Sequence, residues 1–265
     1  MTAAAARLDT AAAAALLREH WRTGRKMAAL PAALRPAGRV DGYAIQAELE
    51  APGLAPVAGW KIAATSRAGQ LHIGVDGPMA GRLPADRVLE PGATIDLAGN
   101  LMRVAEVEFV FRMAATLAPR SAPYGRGEVM AAVGALHTGI EIPDSRFEDF
   151  ARVGAAQLIA DDACAHLFVL GPACPDAWRS LDLAAERPRA AVGGRYEREG
   201  LGANVLGDPR DALVWIANEL SGIGVPLRAG QFVTTGTCVA PLEVRPGDTV
   251  LADYGMLGTI SATFR

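Results

Sequence analysis

The chain has 265 residues, a hydrophobic fraction of 51% and a formal net charge of -3. These values are typical of a globular protein with a sizeable core, and they predict one main domain. The weakly negative charge and the lack of a long Lys/Arg run exclude the electrostatic pattern of nucleic-acid or anionic-membrane binding, and no apolar run approaches the ~20 residues of a transmembrane helix.

Cysteine content and the N-terminus indicate the compartment. The three cysteines are too few and too scattered for a disulfide framework or a paired zinc site. The Ala-rich start is interrupted by Arg7, Asp9 and Arg18, so it lacks the apolar core of a secretory signal. We therefore expect reduced thiols, a cytoplasmic protein and a small-molecule partner.

Two helices are predicted in the first part of the chain. The segment from Leu8 to about Lys26 is rich in strong helix formers, and Asp9 or Thr10 is a candidate cap. A second helix is predicted from about Gly42 to Glu50. The connection from Leu30 to Gly38 contains two prolines and a glycine, which favour a surface loop.

After Pro56 the sequence changes to short apolar or alternating segments separated by Gly and Pro, which predicts a β-rich body. The predicted strands are Val57 to Ala64, Arg103 to Met113, Thr138 to Ile142, Ala165 to Leu170, Phe232 to Thr235 and Thr249 to Tyr254. Two helices are predicted among them, Gly127 to Leu136 and Asp208 to Leu220. The fold class is α+β, with residues 1–56 as a helical N-terminal region and residues 57–265 as a β-rich catalytic domain.

Two glutamates lie on one face of a predicted strand. In R-V-A-E-V-E-F-V-F-R, from Arg103 to Arg112, alternation places Glu106 and Glu108 on the same side. Such neighbours are only about 7 Å apart, so their charges cost free energy unless a cation or hydrogen-bond donors compensate. A solvated edge strand is the simpler interpretation of this motif taken alone.

A third carboxylate makes a metal site the stronger hypothesis. Glu141 lies in the apolar segment T-G-I-E-I-P, where a lone acid is hard to explain by exposure. Three carboxylates without paired Cys or His ligands form a hard oxygen set, which favours Mg²⁺ or Mn²⁺. The four histidines lack ligand spacing, although His137 lies four residues before Glu141.

Lys61 is the other polar candidate, because its neighbours in V-A-G-W-K-I-A-A are almost all apolar. A lysine at a strand edge often extends its ammonium to solvent, and that alternative stays open. A desolvated Lys61 would have a lowered pKa and would be a usable acid or base near neutral pH.

Several stretches together resemble the fumarylacetoacetate hydrolase superfamily, specifically its 2-keto-4-pentenoate hydratase and 4-oxalocrotonate decarboxylase branch. In chain order they are G-W-K-I-A-A-T-S from Gly59, the E-V-E from Glu106, G-I-E-I-P-D-S-R-F from Gly139, A-D-D-A-C-A from Ala160, V-L-G-D-P from Val205, W-I-A-N from Trp215, L-R-A-G-Q-F-V-T-T-G-T from Leu227 and P-G-D from Pro246. They cover most of the chain from Gly59 onward.

The resemblance implies a mixed β-roll or sandwich body and a homo-oligomer acting in aromatic compound catabolism. It implies that Glu106, Glu108 and Glu141 bind Mg²⁺ or Mn²⁺, and that Lys61 contacts or protonates a small 2-oxo acid. It also implies substrate contacts from a second set of residues, namely Thr235, Gly236, Thr237 and Asp162. Members of the family often have Asn at the position of Asp162.

One departure affects the expected reaction. Hydratases of this branch tend to have an acidic residue after the proline where Gly74 to Met79 reads G-V-D-G-P-M, and Met79 cannot carry a proton. Asp76 is the candidate catalytic residue to compensate. We expect a lyase that hydrates a 2-hydroxy-2,4-dienoate to a 4-hydroxy-2-oxo acid. The alternatives are a 4-oxalocrotonate-type decarboxylase, then a C–C bond hydrolase, which the absence of an H-x-x-E pair disfavours, or a non-catalytic metal-binding partner subunit.

Overall fold

The computed structural model describes residues 7–50 and 53–265 of the chain. Within these ranges the α-helices are α1 Thr10–Thr23, α2 Arg39–Ala47, α3 Arg67–His72, α4 Arg126–Ala131, α5 Ala155–Ala160 and α6 Pro209–Gly222. None of them is long and apolar enough to cross a membrane.

Local capping explains where the two longest helices begin. The Asp9 side chain accepts a hydrogen bond from the backbone N–H of Ala12 at the start of α1. The Asp208 side chain accepts from the backbone N–H of Arg210, and Pro209 is the first residue of α6. Both helices therefore begin where the sequence predicts.

The described ranges also contain thirteen strands. In the described ranges they are β1 Val57–Ala63, β2 Met79–Pro84, β3 Val88–Leu89, β4 Thr94–Ile95, β5 Val104–Met113, β6 Val133–Ile142, β7 Leu167–Ala173, β8 Arg189–Val192, β9 Tyr196–Glu199, β10 Phe232–Thr237, β11 Leu242–Glu243, β12 Thr249–Asp253 and β13 Thr259–Phe264. The mixture of strands and separate helices is α+β, as the sequence predicts.

The helix predicted from Gly127 to Leu136 is wrong in its second half. Helix α4 ends at Ala131, and β6 already begins at Val133. Leu136 pairs with Phe111 of β5 and Ala135 pairs with Arg112. This long antiparallel pairing outweighs the helix propensity of the Ala and Leu residues, because strand stability depends on cross-strand packing.

The strands form two sheets. The larger has the order β2-β1-β10-β5-β6-β7-β3, with β11 also paired to β5, and the smaller has the order β4-β13-β12-β8-β9. The smaller sheet packs on the main core, where the Tyr254 ring meets the Phe109 ring edge-on at 5.4 Å. Ala105, Val107, Phe109 and Phe111 of β5 all belong to this core.

The opposite face of the larger sheet carries an apolar cluster beside polar groups. Val110, Phe168 and Phe232 pack there with Leu83, and the rings of Phe168 and Phe232 stack at 5.5 Å. A Cβ at Gly139 would lie 2.3 Å from the Phe168 ring, so glycine makes room for this packing. Glu106 and Glu108 extend from this same face, because they alternate with the core residues of β5.

Helices α1 and α2 share a smaller apolar cluster with the body of the protein. Leu17 and Ile45 are buried there with Phe147 and Ala160. The first strand begins at Val57. The division into residues 1–56 and 57–265 stays a prediction.

Candidate metal centre

The three predicted carboxylates lie together at the polar end of this face. Glu106 of β5 is directly opposite Glu141 of β6 in the antiparallel register. One oxygen from each of Glu106, Glu108 and Glu141 lies within 4.8 Å of the others. Glu108 and Glu141 are fully buried, whereas Glu106 is partly exposed. The cluster therefore has one open side.

Hydrogen bonds within the protein satisfy only part of this cluster. Oε2 of Glu108 accepts from the Gly236 backbone N–H at 2.8 Å and from the Thr234 hydroxyl. Oε1 of Glu108 and both carboxylate oxygens of Glu141 are buried and have no hydrogen-bond partner among the described residues. Buried carboxylate oxygens are rarely left unpaired, so this arrangement fits a bound cation.

Lys61 lies in the same site and is not at the solvent surface. It is 3% exposed, and its Nζ is 3.0 Å from Oε1 of Glu141. The ammonium also donates to the backbone carbonyl of Ala163 at 2.9 Å. Lys61 is thus a buried partner of the carboxylates.

The shifts in pKa follow from burial and from the excess of negative charge. Burial, and then the Glu141 carboxylate, raises the pKa of Glu106 to about 7, although Lys61 opposes the shift. Burial and its two acidic neighbours raise the pKa of Glu108 well above its ordinary value. Burial also raises the pKa of Glu141 despite the contact with Lys61.

The pKa of Lys61 departs from the expectation for a desolvated lysine. Burial by itself would lower it, but the attraction of Glu141, followed by that of Glu106, outweighs burial and raises the pKa. In this arrangement the ammonium stays charged. The expected lowered pKa assumed apolar neighbours, and the carboxylates of β5 and β6 change that environment.

The charges and donor atoms fit a divalent cation. Three carboxylates against one ammonium leave two uncompensated negative charges in a largely buried site. The oxygen-only ligand set is the one that Mg²⁺ and Mn²⁺ prefer, and it disfavours metals that select thiolate or imidazole. The partly exposed side at Glu106 leaves room for water or substrate oxygens.

Strand β10 contacts the carboxylates through Gly236, which was among the predicted residues, and through Thr234, which was not. Thr234 contacts Glu108, whereas the Thr235 hydroxyl donates to the backbone carbonyl of Phe109 at 3.0 Å. Gly236 supplies its backbone N–H to Glu108 and has a φ of 96°. A Cβ there would lie 2.1 Å from Oγ1 of Thr65, so only glycine fits. The Thr237 hydroxyl lies 2.5 Å from the carbonyl of Val239.

Tyr254 is a site-supporting residue that the sequence interpretation missed. It comes from the loop after β12 and is buried. Its hydroxyl lies 2.8 Å from the carbonyl of Glu108 and 3.2 Å from that of Gly139, so it links β5 and β6 behind the carboxylates. No local motif marks Tyr254, because it approaches from the second sheet.

The remaining predicted residues occupy different surroundings. Asp162 is buried, and its Oδ1 accepts from the backbone N–H of Arg82. Met79 is buried in the main core, whereas Asp76 is exposed and forms no ion pair or hydrogen bond with the carboxylate cluster in the part of the chain that is described. His137 is outside the cluster, with its Nδ1 2.9 Å from the carbonyl of Gly171.

Known proteins resemble this chain over most of its length. Residues 70–265 match the family model described as fumarylacetoacetate (FAA) hydrolase C-terminal. The chain is 33% identical over 257 residues to a 2-keto-4-pentenoate hydratase of Burkholderia vietnamiensis, covering 96% of this chain and 97% of that protein. It is also 33% identical over 205 residues to a 4-oxalocrotonate decarboxylase of a Pseudomonas species, covering 77% of each.

A solved structure extends the likeness to the whole fold. The 4-oxalocrotonate decarboxylase from Pseudomonas putida G7, complexed with magnesium and adipate, superposes with a TM-score of 0.87 at 27% identity and covers 97% of both chains. On these matches the chain belongs to the fumarylacetoacetate hydrolase family, within its 2-keto-4-pentenoate hydratase and 4-oxalocrotonate decarboxylase branch.

Proposed function

We propose that the chain is a metal-dependent hydratase that adds water to a 2-hydroxy-2,4-dienoate and yields a 4-hydroxy-2-oxo acid. The observation that carries this proposal is the convergence of three acidic side chains, two of them with unpaired buried oxygens, beside a buried lysine. Relatives that match nearly the whole chain and are named 2-keto-4-pentenoate hydratase support the substrate class.

Glu106, Glu108 and Glu141 would hold Mg²⁺ or Mn²⁺. When bound, the ion would supply positive charge that stabilises negative charge on the 2-oxygen of the substrate. The Thr234 hydroxyl and the Gly236 N–H hold one carboxylate oxygen of Glu108 in place. The protein itself thereby orients the ligand set.

Lys61 is the group we assign to proton handling at the substrate. The enol loses its hydroxyl proton and the terminal carbon gains one, which gives an electrophilic 2-oxo-3-enoate. Hydroxide from water then bonds to carbon 4, and the proton from that water goes to carbon 3. The charged ammonium of Lys61 suits a hydrogen-bond donor to the developing oxyanion, and Asp76 is the other candidate for moving a proton.

We assign substrate contacts to Thr235, Gly236, Thr237 and Asp162, as the family resemblance implies. The backbone of the β10 bulge runs beside Glu108, which places this segment next to the carboxylate cluster. The hydroxyls of Thr235 and Thr237 already have backbone partners. Contacts from this segment would therefore come mainly from its backbone.

A 4-oxalocrotonate-type decarboxylation is the second candidate, and Met79 is the observation that favours it. Met79 is 1% exposed and cannot carry a proton, and Asp76 is exposed and forms no ion pair or hydrogen bond with the carboxylate cluster among the described residues. Loss of CO₂ from a vinylogous 3-oxo acid requires chiefly an electron sink, which the same carboxylate-held cation would supply. A C–C hydrolase and a non-catalytic partner subunit rank below these two.

Turnover of two substrates distinguishes the candidates. The purified protein with Mg²⁺ is incubated separately with 2-hydroxypenta-2,4-dienoate and 4-oxalocrotonate, and the Glu108→Gln variant serves as the metal-site control. Water addition to the dienoate supports hydratase, whereas CO₂ release from 4-oxalocrotonate alone reverses the order. Metal binding without either reaction would contradict both enzyme proposals and leave a non-catalytic metal-binding subunit.

We also propose that the protein is a cytoplasmic homo-oligomer, as the family resemblance implies. Its substrate would be a small 2-oxo acid, with no nucleic acid or membrane as partner. Light scattering coupled to size-exclusion chromatography tests the assembly directly, and a monomer at micromolar concentration would contradict it.

A further inference from the structure

A short left-handed turn lies against Lys61. Asp162, Ala163 and Cys164 have φ values of 57°, 51° and 63°, so three consecutive residues with a Cβ adopt the left-handed region. This conformation is sterically unfavourable for such residues and persists only where the surrounding structure holds it. Observed strain of this kind next to a reactive group suggests a functional reason.

The turn directs one backbone carbonyl at the ammonium. The carbonyls of Asp161 and Asp162 accept from the N–H groups of Cys164 and Ala165 at 3.2 and 2.9 Å. The carbonyl of Ala163 instead accepts from Nζ of Lys61 at 2.9 Å. The left-handed turn therefore closes its own hydrogen bonds and still leaves one acceptor for Lys61.

The Asp162 side chain attaches the turn to strand β2. Its Oδ1 accepts from the Arg82 N–H at 2.6 Å, and Arg82 lies on the outer edge of the larger sheet. A Cβ at Gly81 would lie 2.3 Å from the carbonyl oxygen of Asp162 and 3.0 Å from Cγ of Lys61. Glycine at this position allows the turn and the lysine stem to approach β2 together.

A second attachment holds the other end of the turn. Arg146 forms a buried ion pair with Asp161, and the Asp144 N–H donates to the carbonyl of Cys164 at 3.0 Å. The turn is therefore fixed to β2 on one side and to the segment after β6 on the other. Glu141, the carboxylate partner of Lys61, is in β6 itself.

We propose that this turn positions the ammonium of Lys61 and that Asp162 is the positioning residue that anchors it. An ammonium has three N–H donors. One donates to the Ala163 carbonyl, and Nζ also lies 3.0 Å from Oε1 of Glu141 as an ion pair, so these two contacts hold the ammonium in place and leave donor capacity for the substrate. The role in turnover rests on the proposed function, whereas the anchoring itself does not.

Two substitutions at one position isolate the anchor. Glycine and asparagine both tolerate a positive φ, but only asparagine keeps a side-chain oxygen for the Arg82 N–H. We expect Asp162→Gly to lower kcat by up to about 10²-fold with KM little changed, because small misplacements of a reacting group have effects of that size. Asp162→Asn keeps the anchor and should lose clearly less kcat than Asp162→Gly, whereas Asp86→Asn on an exposed turn should retain full turnover.

A readout without substrate separates this proposal from the assigned reaction. The chain has two lysines, Lys26 and Lys61, so ¹⁵N-lysine labelling gives two ammonium resonances that a Lys26→Arg variant assigns. With Mg²⁺ present, the slowly exchanging resonance of Lys61 should persist in Asp162→Asn and be lost in Asp162→Gly. If this pattern of resonances is found while the wild type turns over neither the dienoate nor 4-oxalocrotonate, the anchoring by Asp162 stands and the assigned reaction fails.

Two results would overturn the proposal. One is a Lys61 resonance and kcat that Asp162→Gly leaves unchanged. The other is an equal loss of kcat in Asp162→Asn and Asp162→Gly, which would mean that Asp162 acts through its charge on the substrate. If Asp162→Gly does not fold, Ala163→Gly replaces it. That change keeps the Asp162 side chain on the Arg82 N–H and loosens only the backbone carbonyl of Ala163. Unchanged exchange of the Lys61 ammonium in Ala163→Gly would equally refute the role of the turn.

Discussion

Charge balance at the carboxylate cluster predicts opposite effects of Glu108→Gln with and without metal. In the metal-free protein at pH 8, burial and the neighbouring acids disfavour the charged form of Glu108, so its pKa is raised. A group with a raised pKa contributes stability below its unfolded-state pKa and loses it as the pH rises. Removing the charge should therefore leave the metal-free variant at least as stable as the wild type.

Mg²⁺ should reverse that order. An ion present at 100 times its dissociation constant stabilises the folded state by about 2.7 kcal/mol. At about 2.1 cal/mol/K per residue, the 265 residues give an unfolding entropy of about 0.56 kcal/mol/K, so the wild-type Tm should rise by about 5 °C. Glu108→Gln removes one of three ligands and should lose most of this increase.

Differential scanning calorimetry at pH 8, with EDTA and with Mg²⁺, measures both effects. Glu90→Gln is the matched control, because Glu90 is exposed and lies outside the cluster. It should show the full wild-type response. A wild-type Tm that does not respond to Mg²⁺, or an equal response in Glu108→Gln, would refute the argument from charge and unpaired oxygens.

Three further predictions concern neighbouring residues. Lys61→Met should lower kcat by about 10²–10⁴-fold while the Tm with Mg²⁺ stays close to the wild-type value, and near-normal turnover would make Lys61 structural. Gly236→Ala should lower the Tm by several degrees in calorimetry, because a φ of 96° costs alanine about 1–3 kcal/mol and the new Cβ meets Thr65. Gly222 has open space around its Cβ position, so Gly222→Ala should change the Tm little. Burial raises the pKa of Asp162 to about 7, so the stability that its protonated form contributes is lost as the pH rises from about 4 through 7. The Tm of Asp162→Asn should consequently exceed that of the wild type at pH 8 but not at pH 4. An equal difference in Tm at both pH values would contradict the raised pKa of Asp162.

The sequence alone predicted the elements whose signals are local. Alternation in β5 separates Glu106 and Glu108 from the core side chains, and the capping residues Asp9 and Asp208 mark the start of α1 and α6. These features depend on periodicity and on hydrogen bonds within a few residues. They require no knowledge of how distant segments meet.

Tertiary structure decided how those elements combine into a site. Glu141 joins the other carboxylates because the antiparallel register places it opposite Glu106, and a shift of one residue would have turned it to the other face. The same pairing made Val133 to Leu136 a strand despite their helical composition. Sequence spacing does not specify the register between strands.

The groups around the carboxylates depended on long-range contacts as well. Register and a bulge in β10 direct Thr234, and not Thr235, to Glu108, although both belong to the same T-T-G-T segment. The acidic neighbours of Lys61 raise its pKa instead of lowering it, because they come from β5 and β6. The residue types alone therefore predicted the kind of site. The pKa values within it could be assigned only from the positions of chain segments that lie far apart in sequence.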